Sequence, residues 1–170
     1  KYGDPLREYT FNVVTLWYRP PELLMGQKIY STALDMWSVG CIFAEILTAE
    51  PLFEGTSEID QLQKIFGILG RPTKERWPDY DTLPNAKTFQ WKESLKPRMQ
   101  ELFPKPKGHS FTNDSHMTLS ENGFDLLSGM LHLDPAQRLS AKDALAHPYF
   151  TEVPLPCSQD QLPVFKPGGP

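Results

Sequence analysis

Cysteine is scarce in this chain: two among 170 residues, Cys41 and Cys157, far apart and outside any CxxC pair. That excludes a disulfide framework and a cysteine-based zinc site. Cys41 sits in an apolar run and reads as a reduced core residue, which fits a nuclear or cytoplasmic setting. The four histidines, His109, His116, His132 and His147, show no metal-ligand spacing, so no metal is assigned to them. No apolar run is long enough to span a bilayer, and there is no internal repeat. Lys1-Tyr2-Gly3-Asp4 has no apolar h-region and no methionine opens the chain, so neither a signal peptide nor a natural start is expected at residue 1. A large excess of charge is missing too. A net charge of −4 gives bulk electrostatics no reason to favour nucleic acid or a charged membrane as partner. Glycine-rich phosphate loops and period-two strand patterns are absent as well.

What is present is enough for one domain with a real core. Hydrophobic residues make up 39% and charged residues 22%, the balance of a folded chain rather than a disordered one. Proline is the oddity, at 17 residues, six of them from Pro148 onward. The organisation read from this is a domain over 1–150 and a proline-rich tail over 151–170. The tail reads as an extended strap packed on its own domain, with a polyproline ligand as the alternative.

Helical periods dominate. Segment 1–19 carries Gly3 and Pro5 without a period and is expected to be loop. Pro20-Pro21-Glu22-Leu23-Leu24 can open a short helix that Gly26 stops. Ser31 or Thr32 then offers a cap to Ala33–Leu47, apolar on nearly every side and so expected to be a buried central helix. Ser57 opens an amphipathic helix with Ile59, Leu62, Ile65, Phe66 and Leu69 in phase and Gly70 at its end. Residues 71–119 are irregular and broken by proline, with Trp77, Phe89 and Trp91 as anchors. Ser120 caps Phe124–Leu131, and Ser140 with Asp143 caps a last short helix before Pro148. The fold class is mainly α.

Four blocks carry a resemblance. Val13-Val14-Thr15-Leu16-Trp17-Tyr18-Arg19-Pro20-Pro21-Glu22 is followed by Asp35-Met36-Trp37-Ser38-Val39-Gly40, then Gly55-Thr56-Ser57-Glu58-Ile59-Asp60-Gln61-Leu62, then Asp134-Pro135-Ala136-Gln137-Arg138-Leu139-Ser140-Ala141. In this order they resemble the C-terminal lobe of cyclin-dependent protein kinases, beginning near the end of the activation segment. The opening Tyr2-Gly3-Asp4-Pro5-Leu6 and the closing Pro154-Leu155-Pro156-Cys157 look most like the PITSLRE-type branch. Pro20-Pro21-Glu22 stands where the family usually has Ala-Pro-Glu, as in some transcriptional relatives. Nothing in the chain matches the V-A-I-K lysine, the H-R-D loop or D-F-G. The fold implied is therefore the kinase C-lobe without its N-terminal lobe, catalytic loop and DFG segment.

The resemblance also implies roles. Thr15 matches the threonine that hydrogen-bonds the catalytic aspartate, so it supports catalysis without performing it. Thr10 holds the place of the activation-loop phosphosite, where a phosphate would order the loop through facing arginines. Val14, Trp17 and Arg19 fall where the substrate residue after the acceptor is recognised, which implies Ser/Thr-Pro substrates. Glu22 and Arg138 match a buried ion pair, and Asp35 an acceptor for the catalytic loop. Each of these residues also has a plain reading as turn, core filler or surface charge. The helix over Ser57–Leu69 matches a surface where small cyclin-kinase subunits dock in some relatives, although packing on its own core accounts for the same residues. Lys87, Lys92, Lys96, Arg98, Lys105 and Lys107 read as a solvated face or as a docking patch.

Two functions follow. One is a portion of a cyclin-dependent-type serine/threonine kinase whose parent uses ATP, Mg²⁺ and a cyclin, in cell-cycle or transcription and RNA-processing control. The chain alone would bind neither ATP nor Mg²⁺ and would transfer no phosphate. The other is a truncated, non-catalytic binding module derived from such a kinase.

Overall fold

The computed structural model describes residues 7–8, 16–88, 95–106 and 118–161. Six helices follow one another among these residues: α1 (Pro21–Leu24), α2 (Ala33–Thr48), α3 (Glu58–Leu69), α4 (Met99–Leu102), α5 (Glu121–Met130) and α6 (Ala141–Leu145). Single 3-10 turns occur at Leu16–Tyr18, Tyr80–Thr82, Pro148–Thr151 and Gln159–Gln161. Arg7–Glu8 (β1) pairs antiparallel with Ile29–Tyr30 (β2), within a stretch expected to be all loop on the first strand's side. Two residues per strand are too few to show a period in sequence.

The caps fall where short polar side chains precede the helices. Ser57 Oγ accepts from Asp60 N–H at 3.2 Å, Ser120 Oγ from Gly123 N–H at 2.9 Å, and Ser140 Oγ from Asp143 N–H at 3.2 Å. Thr32 at the start of α2 makes no such bond; Ser31 Oγ accepts from Ala33 N–H at 3.3 Å instead. Gly26, with φ +87°, ends the short helix as its position suggests.

Around α2 lies the core. Trp37 is fully buried and stacks on Phe53 at 5.8 Å, and Leu62, Ile65 and Phe66 of α3 complete the cluster with Trp77. Phe89 and Trp91, the other expected anchors, lie outside the described residues. Cys41 is buried here, and burial above all pushes its thiol well above the ordinary cysteine range. A thiol held neutral is inert, as a core cysteine should be.

α2 departs from expectation on its far side. Met36, Trp37, Gly40, Cys41 and Ala44 are buried, yet Val39, Ile42 and Ile46 are 47%, 49% and 74% exposed. Only one face of the helix is covered by the described elements. Its opposite face is an apolar stripe that sequence periodicity cannot distinguish from core.

α2 and α5 approach closely across Gly40. A Cβ added there would sit 2.9 Å from Leu131 Cδ2 and 3.0 Å from Met130 Cβ. Gly40→Val is therefore expected to destabilise the chain by roughly 1–3 kcal/mol through overpacking, read as a lower urea midpoint at unchanged slope.

The irregular segment after α3 is tied back to it. Arg71 N–H donates to Leu95 O at 3.3 Å and Arg98 N–H to Ile68 O at 2.7 Å. At the other end the strap expected on the domain is held mainly at its start. Glu152 accepts from Ser120 Oγ and, at 2.8 Å, from Asn122 Nδ2. Beyond it Val153 and Leu155 are 87% and 65% exposed, so the described part of the tail does not pack down. Nothing in its sequence after Glu152 offers the helical period that would hold an apolar face inward.

Candidate functional site

The segment Leu16–Arg19 is a single 3-10 turn closed by Arg19 N–H to Leu16 O at 3.2 Å. The extended Pro20 and the helix-starting Pro21 fix its exit. Each of its polar residues is gripped by a different part of the fold. Trp17, 37% exposed, donates its indole N–H to Gly55 O at 3.1 Å. Tyr18 donates its hydroxyl to Glu45 Oε2 at 2.7 Å, and Ser38 Oγ donates to Tyr18 O at 3.1 Å. The Glu45 hydrogen bond and then burial raise the Tyr18 phenol above its ordinary range. Arg19 Nη1 pairs with Glu58 Oε1 at 2.7 Å.

Gln61 is the hub of this clamp. Its Nε2 donates to Trp17 O at 3.0 Å while its Oε1 accepts from Gly55 N–H at 2.7 Å. It is fully buried, whereas Ile59, expected inside, is 53% exposed. The exchange has a physical cause. Gly55 presents a buried backbone N–H and Trp17 a part-buried carbonyl, and only a side chain with both donor and acceptor can satisfy the two. A polar residue in phase with Leu62, Ile65 and Leu69 was the available signal, since glutamine in an apolar stripe needs partners.

Behind the clamp stands the expected ion pair. Arg138 Nη1 and Nη2 meet Glu22 Oε1 and Oε2 at 2.7 and 2.9 Å, with side-chain exposures of 0% and 1%. Nη1 also donates to Ala33 O at 2.8 Å and Nε to His132 O at 3.0 Å. The guanidinium lies 5.1 Å over the Trp37 ring. A planar fork on a carboxylate, with its other donors occupied, is the arrangement that makes such burial tolerable.

The remaining sequence-derived residues divide. Asp35 is exposed on the same α2 stripe as Val39, Ile42 and Ile46, and among the described residues its carboxylate finds no hydrogen-bond donor. Thr10, Val14 and Thr15 lie outside the described residues. Lys87, Lys96, Arg98 and Lys105 are exposed; Arg98 pairs with Glu101 and Lys105 with Glu121, as on a solvated face. Lys92 and Lys107 lie outside the described residues. Among the described residues no group of three His, Cys, Asp or Glu side chains is placed to hold a metal ion, and no helix is long and apolar enough to cross a membrane.

The clamped turn thus ends in Pro-Pro-Glu, with its glutamate locked to an arginine 116 residues further on. The family profile described as "Protein kinase domain" matches residues 3–150. The chain belongs to the protein kinase family. Within it, the similarity is to cyclin-dependent kinases of the PITSLRE-type branch that the motifs indicate. Cyclin-dependent kinase G1 of Arabidopsis thaliana is 52% identical over 98% of this chain and 26% of its own length. Cyclin-dependent kinase 11B of Homo sapiens is 47% identical over 97% of the chain and 19% of its own. Among solved structures, the crystal structure of the yeast RNA Pol II CTD kinase CTDK-1 complex matches with a TM-score of 0.79 and 34% identity, over 92% of this chain and 48% of that one. The chain thus spans about a quarter or less of these curated relatives.

Proposed function

We propose that residues 1–170 form the substrate-side lobe of a serine/threonine kinase that acts on Ser/Thr-Pro sites in partnership with a cyclin. The observation that carries this reading is the clamp. Trp17, Tyr18 and Arg19 are each fastened to a different element, so the turn that follows Val14 and Thr15 in sequence is rigidly presented. Rigid presentation of the acceptor-side surface is what phosphoryl transfer requires of a lobe that does no chemistry itself. Thr15 would orient the catalytic base, and Thr10 would take the activating phosphate. ATP and Mg²⁺ would be held by residues this chain does not supply; when bound they provide the phosphoryl group and its charge neutralisation. The exposed Ile59 on the outer face of α3 suits a small docking subunit at Ser57–Leu69. Action on cell-cycle or transcription and RNA-processing proteins, in the nucleus or cytoplasm, is part of the same reading.

The test compares two preparations. The 170-residue chain alone should transfer no labelled phosphate to a Ser-Pro peptide. A longer protein that carries these residues with an ATP-binding lobe, purified with its cyclin, should phosphorylate the Ser-Pro peptide and not its Ser-Ala counterpart. Transfer by the chain alone, or indifference to the proline, would overturn the proposal. Binding of the Ser-Pro peptide without transfer by the longer protein would favour the non-catalytic binding module instead.

A further inference from the structure

The Arg19–Glu58 pair is built unequally. Arg19 Nη1 meets Glu58 Oε1 at 2.7 Å across 39 residues of chain, with the arginine side chain 14% exposed and the glutamate side chain 59% exposed. An ion pair with one partner so open to water contributes little to folding. The turn does not need it for its shape, since Trp17 and Tyr18 are already held by Gly55, Gln61, Glu45 and Ser38. Nor does α3 need it for its start. Ser57 caps that end, and Asp60 Oδ2 accepts from Thr56 N–H and Oγ1 at 2.8 and 3.0 Å. A first-turn glutamate facing only solvent would suit the helix dipole equally well. What the pair does accomplish is to occupy a cation in the same turn as the exposed Trp17.

Trp17 and Arg19 are read above as the surface met by the substrate residue after the phosphoacceptor, and on that reading we propose that Glu58 determines specificity there. By holding the Arg19 guanidinium it denies that cation to an acidic substrate side chain. Proline carries neither charge nor N–H, so it asks of this surface only an apolar wall, which the Trp17 ring supplies. A glutamate in its place would find a two-pronged partner in an unoccupied guanidinium. With Glu58 on Nη1 one prong is taken, and the carboxylate, open to water, adds a charge that repels the newcomer. The surrounding charges act in the same sense. Glu54 is exposed and precedes the Gly55 that receives the Trp17 indole. Lys64, the one cation of α3, lies near Asp60, whose carboxylate answers it. Discrimination here comes from repulsion built into the surface as well as from a fit to proline.

Peptides that cannot be phosphorylated test it as competitors. The longer protein with its cyclin is assayed on the Ser-Pro peptide in the presence of peptides whose serine is replaced by alanine. The residue after that alanine is glutamate or its uncharged isostere, glutamine. Against the parent enzyme, the Ala-Glu peptide should inhibit no better than Ala-Gln. In Glu58→Gln its inhibition constant should fall about tenfold relative to that of Ala-Gln, the scale of a hydrogen bond to a charged group. The gain should shrink in high salt. Glu58→Ala, which removes the same charge without leaving an amide, should show the same shift. A role confined to shaping the turn would move the two peptides together. Equal inhibition by Ala-Glu and Ala-Gln in both variants, or none from either, would sink the assignment of Glu58 alone. Indifference of the parent enzyme to the proline of the Ser-Pro peptide would remove the reading of the turn, and this proposal with it.

Discussion

Arg138→Met is expected to lower the stability of the chain by about 3–5 kcal/mol, the usual loss when one partner of a buried ion pair is removed. The substitution keeps an unbranched side chain of apolar stem, so packing changes little and electrostatics dominates. Glu22 would be left with its carboxylate 1% exposed and no cation, and the carbonyls of Ala33 and His132 would lose their donors. For a domain of this size the loss corresponds to a fall in melting temperature of roughly 6–20 °C. Arg138→Lys should fall between the two, because a single ammonium cannot meet both carboxylate oxygens and the Ala33 carbonyl together. Adding Glu22→Leu to Arg138→Met should restore part of the loss, since the stranded charge is then gone. Urea midpoints of the parent, Arg138→Met, Glu22→Leu and the double variant complete the cycle. An Arg138→Met protein within ~0.5 kcal/mol of the parent would mean that the pair is solvated in solution.

That pair also marks a limit on what the sequence can tell. Glu22 and Arg138 carry no local signal that they meet; the resemblance to a family connected them, and the 2.7 and 2.9 Å contacts supply the geometry. Helix starts were legible because capping is local: Ser57, Ser120 and Ser140 each reach an amide three residues on. The orientation of α2 was not legible. A helix apolar on every side says nothing about which side the rest of the chain will cover, and here Val39, Ile42 and Ile46 remain outside. Asp35 belongs to that exposed stripe, at helical spacing from Val39, Ile42 and Ile46. The candidate site was half legible in the same sense. Trp17 and Arg19 stand out by their place in a motif, while Tyr18, Glu45, Ser38 and Glu58 hold the turn by contacts between distant elements.

The largest departure, Gln61, yields the second strong expectation. Gln61→Leu should destabilise the chain by roughly 2–5 kcal/mol, because the buried Gly55 N–H and the part-buried Trp17 C=O lose their partners, at up to about 3 kcal/mol for the first and less for the second. Gln61→Glu divides the two bonds. A carboxylate still accepts from Gly55 N–H but cannot donate to Trp17 O until it is protonated. Burial should raise the folded-state pKa of that new carboxyl above its ordinary value near 4.3. A raised folded pKa places the stability contribution at low pH: fully present below about 4.3 and lost as pH rises through the folded value. The Gln61→Glu protein should therefore be weak at neutral pH and recover relative to the parent on acidification, while Gln61→Leu stays weak throughout. Urea midpoints of the three proteins from about pH 7 down to about pH 4 would show this. Parallel pH profiles for the two variants would mean that the Trp17 carbonyl does not depend on the Gln61 amide. The functional consequence follows from the same geometry. Gln61 presents no surface to a substrate, yet it fastens Trp17 to α3 through the Gly55 turn. Loosening it should free the Trp17–Arg19 face that the proposed substrate would meet, so recognition and stability should fall together in Gln61→Leu and recover together in Gln61→Glu as the pH is lowered.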